Sequence, residues 1–284
     1  MKILSFGEII WDVYEDKKCI GGAPFNFAAH CARLDAESYL LSAAGDDELG
    51  VEALKIARGF GIKDDYIQTV NGSPTGRCLV TLDKNKVPNY DIVKDLAYDY
   101  IQFDKNIENN NFDVFCFETL IQRSENNVET IKEILKKIKF KEIFCDLNIR
   151  KPFYNEKSIR LCLENASIVK ISSEELGCVM NTVFGSEITD CAEASKLISS
   201  SYKNIKLIII TLGSDGAYVY ASQNKKEYYR EGEKVRVVST VGAGDSFSAA
   251  FVTEYLSGGN IESALDKAVK LSAYVVSHAD AVPV

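Results

Sequence analysis

The chain has 284 residues, of which 46% are hydrophobic and 26% are charged, a composition typical of a globular protein with a substantial core. Its formal net charge of −8 is spread along the sequence and argues against a nucleic-acid surface, which needs clustered lysine and arginine. No segment approaches the roughly 20 apolar residues of a membrane-spanning helix, and Met1–Glu8 does not resemble a signal peptide. We therefore expect a cytoplasmic protein with no nucleic-acid or membrane partner.

Eight cysteines and two histidines limit the metal and redox chemistry that we expect. The cysteines form no Cys-x-x-Cys motif, and most lie in apolar runs such as Val114–Phe117, where a thiol behaves as a small hydrophobic group. This pattern indicates reduced, buried thiols rather than a disulfide framework or a zinc site.

Short apolar strands alternate with amphipathic helices along most of the chain. Runs that are apolar on both faces predict buried parallel strands at Ile3–Phe6, Ser38–Ser42, Val114–Phe117, Glu142–Asp146, Ile168–Ile171 and Lys206–Thr211. Helical patterns predict helices at Pro24–Leu34, Glu48–Phe60, Glu125–Lys139, Glu156–Asn165, Ala192–Tyr202, Asp245–Ser257 and Ile261–Ser277. This alternation predicts an α/β fold in which a mostly parallel sheet lies between two layers of helices.

Two segments, about 9–19 and 76–103, interrupt the alternation. Both are rich in strand-forming residues, but polar and apolar side chains alternate along them. Such a pattern is typical of an antiparallel sheet with one exposed face. We expect a small sheet that extends from a single domain spanning residues 1–284 and serves as a lid, a dimer surface or both.

A glycine-rich turn precedes the predicted helix at Asp245–Ser257. The β-branched run Val235–Val241 predicts a strand that enters the turn Gly242-Ala243-Gly244. Converging backbone amides and the positive end of a helix would form an anion site there, and Asp245 at its mouth could accept a proton from a hydroxyl. A second interpretation is that Asp245 only caps the helix. The chain lacks the P-loop sequence Gly-x-x-x-x-Gly-Lys-Ser/Thr, so this would be a different kind of phosphate site.

A second glycine-rich segment lies near the N-terminus. Gly21 and Gly22 permit close approach to the backbone, and Asn26, in the first turn of the following helix, can donate and accept hydrogen bonds. Together with Asp12, Asn26 would suit a polyhydroxyl compound. The alternative is that Asp12 is a solvated strand residue and Asn26 a partner of the helix N-terminus.

The two glycine-rich segments together resemble the signatures of the ribokinase-like (PfkB) family of carbohydrate kinases. The N-terminal signature is matched by Gly21-Gly22-Ala23-x-x-Asn26-x-Ala28, and the C-terminal one by the run from Thr240 to Phe247. The resemblance covers the whole chain and implies a three-layer α/β/α core, a β lid, ATP and Mg²⁺. It implies Asp245 as catalytic base, with the amides of Gly242, Ala243 and Gly244 as the anion hole.

The resemblance also implies roles for residues outside the turn. Asp12, Gly22 and Asn26 would bind sugar hydroxyls, and Arg150 in the run Asp146-x-Asn148-x-Arg150 would hold phosphate or substrate, the alternative being a surface salt bridge. The loop with Thr211, Gly213 and Gly216 resembles the family's nucleotide-side loop. Members of the family often pair through their lids, which implies a homodimer.

The lid segment resembles that of fructokinase-type members. Pro88-Asn89-Tyr90-Asp91-Ile92, Ala97-Tyr98-Asp99 and Phe117–Arg123 carry this resemblance. Fructose is therefore the favoured acceptor. A ribokinase, nucleoside kinase or 2-keto-3-deoxygluconate kinase, and a sugar- or nucleotide-binding regulator without turnover, stay open as alternatives.

Three positions depart from the family pattern. Ser239 replaces an Asp that often helps to bind a potassium-like ion, and Asp280 stands where a Gly is common. The hypothesis is that Asp280 restores the lost charge or that the potassium site is altered. The third departure is Ser172 in place of Asn in the Asn-x-x-Glu motif, where Glu175 would act on magnesium through water.

Overall fold

The computed structural model describes residues 1–15, 17–82 and 88–283. Its strands are β1 (Lys2–Phe6), β2 (Ile10–Val13), β3 (Lys18–Gly21), β4 (Glu37–Gly45), β5 (Ile67–Val70), β6 (Gly76–Leu82), β7 (Pro88–Ile92), β8 (Val114–Phe117), β9 (Glu142–Asp146), β10 (Ile168–Ser172), β11 (Leu207–Thr211), β12 (Gly216–Ala221) and β13 (Lys226–Glu231). Its α-helices are α1 (Ala23–Arg33), α2 (Glu48–Gly59), α3 (Glu125–Lys137), α4 (Glu156–Asn165), α5 (Ser173–Phe184), α6 (Cys191–Ser201), α7 (Ala243–Leu256) and α8 (Ile261–Val276). Among the described residues, no helix combines the length and apolar character needed to cross a membrane.

The core is a nine-stranded sheet in the order β13-β12-β11-β10-β9-β8-β1-β4-β5. The seven strands from β11 to β5 pair in parallel, and β12 and β13 add an antiparallel hairpin at one edge. Residues of α1, α2, α7 and α8 pack on one face, and residues of α3 to α6 pack on the other. The predicted three-layer α/β/α fold is confirmed.

A second sheet has four strands in the order β3-β2-β6-β7. Its outer pairs are antiparallel, whereas β2 and β6 run parallel. The predicted small sheet is therefore present, within narrower limits than 9–19 and 76–103, because Ala97–Tyr100 forms a 3₁₀ helix. Residues 83–87 of the predicted lid lie outside the described part of the chain.

The predicted strand over Val235–Val241 is wrong. The segment has no strand assignment, and the side chains of Val237 and Val238 are 61% and 55% exposed. The backbone amide of Val238 donates to the carbonyl of Val276, the last residue of α8, at 2.8 Å. The segment thus lies against the end of a helix, and its β-branched residues have no neighbouring strand to pair with.

The sheet places a topological switch point between β1 and β8. From β1 the chain continues outward to β4 and β5 on one side, and from β8 it continues outward to β9, β10 and β11 on the other. In open α/β sheets, ligands bind in the crevice at the carboxyl ends of the strands at such a point. A ligand site is therefore expected at the loops after β1 and β8.

Candidate active site

The first turn of α7 lies at this carboxyl edge and is not capped by any side chain of the described residues. Gly242, its N-cap, has φ +80°, and a Cβ atom there would lie 2.6 Å from the carbonyl oxygen of Ala281. A larger residue would therefore strain both the turn and its packing. The amide of Ala243 donates to the carbonyl of Thr240 at 3.3 Å, whereas those of Gly244 and Asp245 have no intrahelical partner and can serve an anion.

Asp245 and Asn26 meet at this edge. The Nδ2 of Asn26 donates a 2.8 Å hydrogen bond to Oδ2 of Asp245, joining the first turn of α1 to the first turn of α7. Burial raises the pKa of Asp245 to about 7, against the lowering effects of the Asn26 hydrogen bond and of Lys170 and Arg150, while Asp146 raises it further. A carboxylate with a near-neutral pKa is suited to accept a proton and release it again.

A recess opens beside Asp245 at the switch point of the sheet. Its walls combine aromatic side chains with a few polar groups that converge on one space. The lining residues are Ala23, Pro24, Phe27, Cys116, Phe117, Glu118, Phe144, Asp146, Asp245 and Ser248.

Asp12 and Arg150 lie near the same cleft. Burial raises the pKa of Asp12 to about 6, and the positive charge of Arg150 opposes this shift. Arg150 is exposed and acts electrostatically on both Asp12 and Asp245, so its charge lies within reach of both carboxylates. Gly22 is the N-cap of α1 with φ +103°, and a Cβ atom there would lie 2.6 Å from the carbonyl oxygen of Glu8. The fold itself therefore requires this glycine.

The loop between β11 and β12 lies at the same edge of the sheet. It begins after Thr211 and contains Gly213, with φ +59° and open space around its Cα. Gly216, with φ +108°, closes the loop, and a Cβ atom there would lie 2.0 Å from the carbonyl oxygen of Arg230. Gly216 is thus required for the approach of β13, whereas Gly213 leaves room for a ligand.

Glu175 connects α5 to the loop after β9. Its Oε2 accepts a hydrogen bond from the amide of Ser172 at 2.9 Å, and its Oε1 accepts one from the amide of Ile149 at 2.5 Å. Ser172 in turn caps α5 by accepting from the amide of Glu175. These bonds position the chain next to Arg150, a structural role that the sequence did not reveal. The role of Glu175 toward magnesium stays a prediction.

Ser239 and Asp280, the two residues linked to the potassium prediction, both lie near the turn. The side-chain oxygen of Ser239 accepts a hydrogen bond from the amide of Val241 at 3.2 Å. Asp280 is exposed and precedes Ala281, which packs against Gly242. A cation site at these positions stays a prediction.

Sequence reasoning missed two buried pairs of ionisable residues near Asp245. Glu8, after β1, and Glu118, after β8, are 1% and 3% exposed, and their side chains are in contact. Two buried carboxyls this close do not both ionise, so the pair keeps a proton. We call them the acid pair. Burial raises the pKa of both carboxyls; that of Glu118 is raised further by its partner. The amide of Ala23 donates to Glu8, and Asn148 donates to Glu118.

Asp146 of β9 and Lys170 of β10 form the second pair, which we call the ion pair. Lys170 is 5% exposed, and Oδ2 of Asp146 also accepts a 3.3 Å hydrogen bond from Ser248. A sequence signal did exist, because a lysine inside the apolar strand Ile168–Ser172 needs a buried partner. Asp146 was visible in the run with Arg150, but nothing in the sequence joined it to Lys170.

Comparison with known proteins adds a family match over almost the whole chain. A model described as the pfkB family of carbohydrate kinases matches residues 2–283. Among curated proteins, a ribokinase of Dictyostelium discoideum is 26% identical over 272 residues, covering 92% of this chain and 85% of its own. Fructokinase-2 of Solanum habrochaites is 27% identical over 282 residues, covering 89% and 81%.

A solved structure has the same fold. An uncharacterised sugar kinase from Pyrococcus horikoshii, in complex with ATP, superposes with a TM-score of 0.83 at 25% identity, covering 99% of this chain and 94% of that one.

Proposed function

Because the chain belongs to the pfkB family of carbohydrate kinases, we propose that it transfers the γ-phosphoryl group of ATP to a primary hydroxyl of a small sugar. The observation that carries this proposal is the contact between Asn26 and Asp245 at the uncapped start of α7. In this arrangement a carboxyl group with a pKa of about 7 lies beside the first-turn amides of α7, at the switch point of the sheet.

The proposed reaction uses Asp245 as the base. Its carboxylate takes the proton of the sugar hydroxyl as that oxygen attacks the γ-phosphorus, and the bond from the γ-phosphorus to the bridging oxygen breaks to release ADP. Asn26 holds Oδ2 of Asp245, which leaves Oδ1 for the hydroxyl. The amides around Gly242, Ala243 and Gly244 would stabilise the charge on the transferring group.

The residues present fit a nucleotide with magnesium. The amides of Gly244 and Asp245 in the first turn of α7 have no intrahelical partner, and Gly213 leaves open space on the nucleotide side, next to Thr211. When bound, Mg²⁺ would neutralise phosphate charge. Among the described residues, no group of three or more His, Cys, Asp or Glu could hold a metal ion. This agrees with magnesium held mainly by phosphates and waters, with Glu175 acting through water.

Roles follow for the remaining cleft residues. Asp12 and the backbone of Gly22 would bind sugar hydroxyls, and Arg150 would bring positive charge to the substrate or its phosphate. At the proposed K⁺ site, either Asp280 restores the charge that Ser239 lacks, or the site is altered and the potassium requirement is weak.

Fructose is the favoured acceptor, supported by the fructokinase-type lid sequence and by the fructokinase among the relatives. Ribose is the second candidate, because a ribokinase matches at nearly the same identity. The Ala97-Tyr98-Asp99 part of the lid motif is buried, Asp99 pairs with Arg123, and Tyr98 packs against Gly76 at the start of β6.

The setting of the enzyme is also part of the proposal. All eight cysteines are free thiols, which suits the reducing cytoplasm where ATP is abundant.

Leu79 of β6 is 43% exposed on the small sheet, and we propose that two copies pair through that sheet. A sedimentation experiment that gives only monomers would contradict the dimer.

The deciding experiment measures ADP release with Mg²⁺, ATP and a panel of fructose, ribose, nucleosides and 2-keto-3-deoxygluconate. We expect the highest kcat/KM with fructose. Highest activity with ribose would reassign the acceptor and keep the kinase. Nucleotide binding without ADP release on any acceptor would favour a binding regulator.

A further inference from the structure

Lys170 is a buried cation that the proposed reaction does not use. It lies inside strand β10 between Val169 and Ile171, both fully buried, and is itself 5% exposed. Burying an ammonium group costs several kcal/mol unless partners compensate for the lost water. A lysine at such a position therefore needs an electrostatic reason.

Asp146 is the only side-chain partner of the Lys170 ammonium in the described chain. An ammonium group has three donors, so one carboxylate oxygen leaves part of its hydrogen-bonding capacity unused. Glu175 and Asp245 act on Lys170 at longer range, without a direct bond. The ion pair thus compensates for the buried charge but leaves it with spare donors.

The position of the ammonium is also unusual. Its Nζ atom lies 3.4 Å from the place that a Cβ atom of Gly244 would occupy, so it sits directly under the first turn of α7. A helix start carries partial positive charge, and a cation there is unfavourable. The arrangement becomes favourable when an anion binds above it, because both positive elements then face the same negative charge.

We propose that Lys170 is a positioning residue of the phosphoryl-transfer site, whose ammonium, clamped by Asp146 beneath Gly244, adds the charge that selects a nucleotide triphosphate over a diphosphate. This inference rests on the proposed kinase function. The ion pair then contributes to ligand selectivity, in addition to holding β9 and β10 together.

The same charge bears on Asp245. The groups that face Asp245 come from several elements: Lys170 and Arg150 lower its pKa together with the Asn26 hydrogen bond, and Asp146 raises it. Glu118 and Cys116 line the same recess; Glu118 and Glu8 together keep a proton, and burial raises the pKa of the Cys116 thiol well above its ordinary value. Removing Lys170 should raise the pKa of Asp245, and removing the charge of Asp146 should lower it.

The experiment compares Asp146→Asn, which keeps the ammonium, with the double variant Asp146→Asn/Lys170→Met, which removes both charges without leaving one buried alone. Calorimetry measures the affinity of each for the ATP analogue AMP-PNP and for ADP, both with Mg²⁺, after thermal melting has established that each is folded. We expect the double variant to bind AMP-PNP about tenfold more weakly than Asp146→Asn does, which is about 1.4 kcal/mol. The affinities of the two variants for ADP should differ by less than about threefold.

A pH series gives the second readout. The acidic limb of kcat/KM should move to lower pH in Asp146→Asn than in wild type, and it should lie at higher pH in the double variant than in Asp146→Asn, because only the double variant also loses the Lys170 charge. A limb at the same pH in both variants would contradict the inference, and equal losses for AMP-PNP and ADP would likewise overturn it. If wild type releases no ADP with any acceptor, the kinase proposal fails, while the difference between AMP-PNP and ADP still decides the role of Lys170.

Discussion

The acid pair and the ion pair each contribute a carboxyl group to the recess beside Asp245, and their difference shows how neighbouring groups set protonation there. Both are built at the carboxyl edge of parallel strands, and all four side chains are largely buried. In the acid pair, burial and like charge raise the pKa of Glu118 well above its ordinary value. In the ion pair, burial lowers the pKa of Lys170, but attraction to Asp146 outweighs it and the net shift is upward.

Burial therefore has opposite results for protonation in the acid pair and in the ion pair. Two carboxyls together keep a proton, whereas a carboxylate and an ammonium keep their charges. Asp245 lies between these extremes, because burial is offset by an amide donor and by nearby cations and its pKa comes to about 7. Such a value lets it change protonation during a reaction.

The largest expected effect comes from replacing Asp245, the proposed base. Asp245→Asn keeps the shape of the side chain but cannot accept the proton, and we expect kcat to fall by roughly 10²–10⁴. Affinity for AMP-PNP should change little. Steady-state ADP release and calorimetry measure the two quantities. The exposed Asp65→Asn is the control, and a loss of less than about fivefold in Asp245→Asn would argue against a general base.

The second prediction breaks the acid pair. The acid pair of the folded chain keeps a proton that the unfolded chain loses above the ordinary Glu pKa of 4.5. The contribution of the acid pair to the free energy of unfolding therefore falls as pH rises above 4.5. In the variant Glu118→Gln, the neutral amide imitates the protonated carboxyl at every pH. We expect this variant to be as stable as wild type near pH 4.5 and more stable by about 1 kcal/mol or more at pH 8.

Urea unfolding at the two pH values checks this expectation. The exposed Glu164→Gln should show no such pH-dependent difference from wild type. If Glu118→Gln lost stability as pH rose, relative to wild type, the acid pair would not be keeping a proton.

The smallest expected effect loosens the ion pair without removing a charge. Ser248→Ala removes the 3.3 Å hydrogen bond to Asp146, and alanine is the better helix former, so the two changes partly cancel. We expect the free energy of unfolding to change by less than about 1 kcal/mol and kcat by less than about threefold. Ser200→Ala on α6 provides the matched control for helix propensity. A tenfold loss of kcat would mean that Ser248 has a larger role than holding Asp146.

The fold could be predicted to a large extent because the strands of a parallel sheet are apolar on both faces and are separated by helical periodicity. The error at Val235–Val241 has a physical cause, since β-branched residues favour extended backbone whether or not a neighbouring strand is present. Helix α5 was not predicted, although its boundary signals are present: Ser172 and Glu175 form a capping box. The hairpin of β12 and β13 was missed because Gly213 and Gly216 were considered only as a ligand loop.

For the candidate site, the sequence pointed to residues next to glycine turns, and the structure brings Asn26 and Asp245 together. Their catalytic roles stay predictions. The acid pair could not be predicted, because Glu8 and Glu118 become neighbours only where β1 and β8 pair. The sequence also offered no reason to join Lys170 to Asp146, because strand pairing between β9 and β10 brings them together.

The contact between Asn26 and Asp245 spans 219 positions of the chain, and this has a consequence for biosynthesis. A ribosome that adds roughly 5–20 residues per second incorporates Asp245 on the order of 10–45 s after Asn26. During that time Asn26 has no Asp245 with which to form its hydrogen bond. The cleft is thus assembled only when α7 docks, so nascent chains that stall before α7 would hold most of the sheet yet have no working centre.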